Sequence, residues 1–152
     1  MKLLRSDKLL DHVSDIIYED TQLQDNHIDL TVTEIHQFSE AGALDFGGSE
    51  FRPARTEPIK PKKQNTDDDY GWWELEEGTY QAVFNESVEH PENSAVFIAP
   101  HIHAVESGIM ISSQILSPNH DLDRITLNFK ISKIGCNIKE NARFASLYIM
   151  SS

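Results

Sequence analysis

A mainly β fold, a sandwich or barrel of short antiparallel strands preceded by one short helix, is the class this sequence predicts. Three observations lead there. From Trp72 to the end, short apolar or alternating runs follow one another with turn residues between them. Ile28-Asp29-Leu30-Thr31-Val32-Thr33 alternates apolar and polar side chains and is rich in β-branched types, the pattern of a half-buried strand. Helical spacing is confined to residues 6–17, where Leu9, Leu10, Val13 and Ile17 recur behind Ser6 as N-cap and Asp7 in the first turn.

The elements follow in order. After the helix and the strand at 28–33, residues 39–69 collect Gly42, Gly47, Gly48, Pro53, Pro58 and Pro61, the pair Lys62-Lys63 and the run Asp67-Asp68-Asp69. Glycine and proline punctuation of this density predicts a long loop, read either as a disordered excursion or as an arm against a neighbouring subunit. Beyond it, strands are expected at Tyr80–Phe84, Ser94–Ile98, Gly108–Ser112, Arg124–Ile131 and Arg143–Met150. Trp72 and Trp73 are adjacent and so point to opposite faces of a strand, one into the core and one toward an interface. No internal repeat breaks the chain, and residues 1–152 read as one domain.

The chain has 152 residues, long enough to bury a core. Its 25 acidic and 13 basic residues leave a net charge of −12, which repels nucleic-acid phosphates and disfavours duplex binding. A free nucleotide needs only a local basic or amide-rich pocket, and the first reading of the acidity is solubility. The one cysteine, Cys136, excludes an intrachain disulfide. No apolar run approaches the roughly 18 residues of a membrane span, and no signal-peptide pattern develops after Met1, so a cytoplasmic protein is expected. Asn85-Glu86-Ser87 meets the glycosylation pattern, which that compartment would leave unused.

Five segments taken in order carry a family resemblance. Leu4-Arg5-Ser6-Asp7-Lys8-Leu9-Leu10 is similar to an "L-S-D-x-x-I" opening, and Gln24-Asp25-Asn26-His27-Ile28-Asp29-Leu30-Thr31-Val32 to "Q-P-S-S-I-D-L-R-L". Glu77–Val83 resembles "P-G-E-F-V-L-G", and Arg124-Ile125-Thr126-Leu127-Asn128-Phe129 resembles "H-I-T-L-E-L". The tail Ile138–Ile149 resembles "I-x-x-G-x-R-I-A-Q-L-x-F", the most specific of the five. Together they resemble the dCTP deaminase and dUTPase superfamily. The resemblance implies a distorted jelly-roll, or β-clip, a homotrimer with sites at subunit interfaces, and a deoxynucleotide as ligand. It also implies Mg²⁺ if the chain is an active diphosphatase.

The family's chemistry asks for groups that the matching positions here lack. Deamination needs a general acid/base at the pyrimidine ring. The glutamate that supplies it in the family corresponds to Asn128, and an amide cannot exchange a proton near neutral pH. The phosphate-binding "S-S-L-G-R" motif falls on His101–Gly108, with Glu106 at its arginine and Ser107 and Gly108 following. A carboxylate facing a triphosphate in a poorly solvated site is repulsive by several kcal/mol. Ser146 stands at the glutamine of the last motif. The segment that closes over the sugar becomes Ser117–Asp123, where Asp121 or Asp123 could substitute. Asp29 is the one carboxylate of family type that survives, with a structural bond at the strand start as the alternative reading.

These departures predict a scaffold without the standard catalytic groups, acting in nucleotide binding, regulation or structure. The competing expectation is an active deaminase or diphosphatase in which Asp29, Asp121, Asp123 and Glu106 share acid/base and metal roles. His101-x-His103 adds a third idea. On a strand both imidazoles would share one face and could hold Zn²⁺ with a third ligand from Glu106, His90, His120 or Asp121, although two unremarkable strand histidines would look the same. Lys60, Lys62 and Lys63 are the one notable basic cluster, read as a solvated loop or a phosphate contact.

Overall fold

Alternation decides which side of each strand meets the core. In the segment Thr126–Ile131, Leu127, Phe129 and Ile131 are buried while Asn128 and Lys130 face solvent. The computed structural model describes every residue except 119 and 121. Its strands are β1 (Lys2–Leu3), β2 (Val13–Ser14), β3 (Ile28–Glu40), β4 (Arg55–Pro58), β5 (Trp72–Leu75), β6 (Gly78–Phe84), β7 (Ser87–Val88), β8 (Ser94–Pro100), β9 (Ile109–Ile111), β10 (Gln114–Leu116), β11 (Thr126–Ile131), β12 (Cys136–Lys139) and β13 (Arg143–Ser151). Among the described residues three short helices intervene: α1 (Asp7–Leu10), α2 (Glu19–Gln22) and α3 (Ile102–Glu106).

The main sheet runs β10-β8-β13-β3-β6-β11-β9, with β1 beside β13 and β4 beside β3. β12 pairs with β5 and β2 with β7 in two small ladders. The molecule is therefore mainly β, a curled antiparallel sheet, as the sequence predicts. The sheet closes over a chain of aromatic rings. Phe129 meets Tyr80 at 5.7 Å and Phe144 at 4.9 Å, and Phe144 meets Phe84 at 6.0 Å. Leu30, Ile35, Ile98, Leu147 and Ile149, all fully buried, fill the space around them.

Local structure departs from expectation in three places. The helix expected over 6–17 is one turn, Asp7–Leu10, and Ser6 makes no side-chain cap. Val13 and Ser14 instead pair with Val88 and Ser87, and Asp15 takes a positive φ of 64°. Leu9 and Val13 are buried all the same, because a turn followed by an extended step delivers both to the core. The strand beginning at Ile28 runs on to Glu40. Within 39–69, β4 pairs with the outer half of β3, Ala43 bridges Arg52, and Lys62 bridges Trp72. Lys60, Lys62 and Lys63 are exposed.

The tryptophans divide as adjacent strand residues must. Trp73 is buried and its Nε1 donates to the Ile59 carbonyl at 2.8 Å. Trp72 is half-buried with the Lys139 ammonium 5.6 Å from its ring centroid. Asn141 stands where the resembled motif has glycine. Its φ of 66° is the left-handed conformation that asparagine tolerates best among residues with a Cβ. No helix among the described residues is long and apolar enough to cross a membrane.

Candidate functional site

β3 enters the sheet at Ile28, and the next side chain, Asp29, is 1% exposed. A buried carboxylate must be paired or neutralised, and here four groups converge on it. Arg143 Nη1 donates to Oδ2 at 3.1 Å and Ser146 Oγ to Oδ1 at 3.3 Å. His101 Nε2 lies 3.4 Å from Oδ2 and His27 Nε2 3.6 Å from Oδ1.

A β-bulge makes the first two contacts available together. Residues three apart on a regular strand face opposite ways. The register of β13 on β3 slips between Arg143 and Ala145, so that Arg143 pairs with Thr31, Ala145 with Leu30 and Ser146 with Asp29. The extra residue, Phe144, turns into the core, and Arg143 and Ser146 both reach one carboxylate.

His101 follows β8 and caps α3. Its Nδ1 accepts the His103 amide at 3.0 Å, which leaves the Nε2 proton to point at Asp29. Burial pushes the imidazole below its ordinary pKa. Asp29 pulls it the other way and Arg143 and His103 push it further down, with burial the largest influence. The His103 ring packs edge-on against His101 at 4.7 Å, and His27 packs on Tyr148 at 4.9 Å. The pocket over this cluster has a volume of about 450 Å³ and is lined by Gln24, His103, Val105 and Tyr148 as well as the Asp29 partners.

Behind the pocket lies a second buried carboxylate that sequence reasoning passed over. Glu86 is fully buried and accepts from the Thr31 amide at 2.8 Å, from the Thr31 hydroxyl, and from Gln22 Nε2 at 2.9 Å. Gln22 Nε2 also donates to the Asp29 carbonyl at 2.9 Å, and its Oε1 accepts the Ile17 and Tyr18 amides. Burial raises the Glu86 pKa, and the donors from Thr31 and Gln22 offset part of that rise. Glu86 and Gln22 thus hold the backbone on both sides of Leu30 and set where Asp29 stands. No sequence pattern marks this pair, since its members lie 64 residues apart.

Asn128 lies elsewhere, exposed on β11 opposite Gln81 of β6. With Gln81, Gln114, Arg124 and Thr126 it lines a polar pocket of about 390 Å³. The described residues of that lining include no carboxylate. The arrangement can donate and accept hydrogen bonds and offers one permanent cation. The one imidazole of the described lining, His120, is exposed, and its Nδ1 accepts the Ser117 amide at 2.8 Å.

The remaining sequence candidates separate. Ser146 joins Asp29, as do His101 and, at its side, His103. The two histidines do not share a strand face. Residues 102–106 turn into α3, which makes His101 its cap and His103 part of its first turn, and this corrects the strand geometry expected for a metal pair. Among the described residues no group of three or more His, Cys, Asp or Glu is arranged to hold a metal. Glu106, Ser107 and Gly108 are exposed at the far end of α3 and do not line the Asp29 pocket. Asp123 sits in an exposed turn with a partner of its own, and Asp121 lies outside the described residues. The Asp29 cluster does not fit Mg²⁺. A hard divalent ion needs open carboxylate oxygens, and both oxygens of Asp29 are engaged beside an arginine.

No family model matches this sequence. A probable deoxyuridine 5'-triphosphate nucleotidohydrolase of Methanosarcina mazei is 30% identical over 128 residues, 84% of this chain and 71% of the relative. A protein of the same description from Methanosarcina acetivorans is 30% identical over 139 residues, 91% of this chain and 76% of that one. One from Methanococcoides burtonii is 28% identical over 135 residues, 89% of this chain and 76% of that one. Among solved structures, the 2'-deoxycytidine 5'-triphosphate deaminase from Agrobacterium tumefaciens superposes with a TM-score of 0.63 at 12% identity. The match covers 91% of this chain and 42% of the deaminase, and at that identity the likeness is one of fold.

Proposed function

This chain belongs to the dCTP deaminase and dUTPase superfamily, and from that premise we propose that it is a homotrimeric relative that binds a pyrimidine deoxynucleotide without deaminating or hydrolysing it, in a regulatory or structural role. The observation that carries this reading is Asn128. It stands at the family's acid/base position in a pocket of amides, Arg124, Thr126 and His120, where a base edge can be read by hydrogen bonds but no carboxylate of the described lining takes the place of the family's glutamate. Two further features support it. Along the phosphate-binding stretch, His101 has its pKa lowered by burial and Glu106 replaces an arginine. Asp29 is fully engaged by Arg143 and Ser146, so it neither activates water nor opens to a metal.

The test is a panel of deoxynucleoside triphosphates with Mg²⁺, followed for both ammonia and pyrophosphate, with binding read by calorimetry on the same samples. Binding of dCTP or dUTP without turnover is expected. Robust release of either product would sink the reading.

A second reading is an active dUTP diphosphatase or dCTP deaminase with a displaced site. It is favoured by the nucleotidohydrolase descriptions of the relatives and by the retained Asp29. It requires Mg²⁺-dependent turnover that disappears in Asp29→Ala.

A further inference from the structure

β3 outruns the sheet that holds it. Its first half pairs with β13 and β6, while its last residues, to Glu40, pair with β4 and lead into a hairpin at 41–54. The stem of that hairpin is tight. Ala43 and Arg52 exchange both backbone hydrogen bonds at 2.9 and 3.1 Å, and a Cβ on Gly42 would stand 2.7 Å from the Ala54 amide nitrogen. The tip is ordered by its own chain, because the Asp45 carboxylate accepts the Gly48 and Glu50 amides at 3.1 and 2.9 Å.

What this stem presents is apolar. Leu44 is 90% exposed, Phe46 fully exposed and Phe51 more than half exposed. A Cβ on Gly47 or Gly48 would meet nothing within 4 Å, so the tip stands clear of its own body. An ordered projection ending in two phenylalanines and a leucine keeps apolar surface in water, the mark of an interaction site.

The same molecule carries a matching depression. Between α3, β9 and β11 lies a pocket of about 470 Å³ floored by Ile109, Ile111 and Phe129 and walled by Val105 and Met110, both half exposed, with the Lys130 side chain at its edge. The charged side chains of the tip, Asp45 and Glu50, are both acidic, and Lys130 is the one charged residue among the described lining of the pocket. Arg52 and Arg55 lie back along the stem. In a chain of net charge −12, a second copy is repelled in general and must be drawn in by local complementarity.

We propose that the 41–54 hairpin is an exchange arm, whose Leu44, Phe46 and Phe51 seat in the Val105–Met110 pocket of a second copy of this chain. The contact joins two different patches, so it is heterologous, and one arm and one pocket per copy close into a ring. It rests on the self-association proposed above, and it adds which surfaces make the contact.

The experiment is sedimentation velocity on the full chain over a range of concentrations, with near-ultraviolet circular dichroism to confirm folding. Phe46→Asp and Met110→Asp alter exposed side chains and leave the core intact. Each is expected to weaken association at least tenfold. Glu50→Lys and Lys130→Glu are each expected to weaken it, and the pair together to restore it. An oligomer unchanged in Phe46→Asp and Met110→Asp overturns the arm contact and leaves the trimer standing. A wild-type chain that stays monomeric throughout overturns both.

Discussion

Arg143→Met should destabilise the protein by about 3 kcal/mol. The reasoning starts from Asp29, which is 1% exposed and has Arg143 as its one permanently charged partner among the described residues, at 3.1 Å. Removing one member of a buried ion pair costs about 3–5 kcal/mol, because it leaves the other charge desolvated and uncompensated. Two features put the value at the lower end. The Arg143 side chain is 31% exposed, and Asp29 keeps the hydrogen bond from Ser146. Methionine preserves much of the side-chain volume, so the loss reports charge more than packing. The assay is urea unfolding at pH 8 and fixed protein concentration, since an oligomer's stability depends on it. The double variant Asp29→Asn/Arg143→Met has no stranded charge and should recover most of the loss, giving a coupling of about 2 kcal/mol or more. A single-variant loss below about 0.5 kcal/mol, or strict additivity in the cycle, would refute the view that Arg143 neutralises a buried Asp29.

Three further outcomes are expected. Glu86 has its pKa raised by burial above 4.5, so the folded state holds more protons than the unfolded chain above that pH, and stability falls as pH rises through the window. Glu86→Gln should remove that slope, seen as a flatter plot of unfolding free energy from pH 4.5 upward; an unchanged slope would show that Glu86 is not its source. His101 is shifted the other way, below 6.5, so the unfolded chain takes up the proton first and stability falls as pH drops through 6.5 until the lowered value is passed. His101→Asn keeps a cap for the His103 amide and should make thermal stability less sensitive to pH in that window, while an equally steep dependence would assign it to another group. Asn141→Ala should cost about 1–2 kcal/mol through its positive φ, together with the lost Asn85 hydrogen bond, and Asn141→Gly should cost less; equal losses in thermal melts would mean that the backbone conformation contributes nothing.

Period-two alternation was legible wherever one strand face meets the core. The stretch at 126–131 could be placed from side-chain chemistry alone, because burying the other face would expose leucine and phenylalanine, whereas 28–33, expected to be half-buried, is buried on both faces from Ile28 to Val32. Family membership was legible for a related reason: five short segments in one order preserve α1 and the strands β3, β6, β11 and β13. Asn128 could be read as incapable of proton transfer without any coordinates, since that follows from the amide itself. The composition of 39–69 announced irregular chain but not the paired stem at Ala43 and Arg52.

The site depended on contacts between distant segments. Asp29 and Ser146 were each named from sequence, yet their meeting with Arg143 requires a bulge that no local pattern specifies, where one extra residue reverses the facing of everything before it. His101 and His103 looked like strand neighbours because period two was assumed, and a five-residue helix made them a cap and its follower. Glu86 carried no signal at all. Its place is set by Gln22 and Thr31, 64 and 55 residues away, and only the closed sheet brings a carboxylate and its donors together out of water. Short-range chemistry thus determined the strands and what Asn128 cannot do, while the desolvation that gives Asp29, His101 and Glu86 their character was decided by tertiary packing.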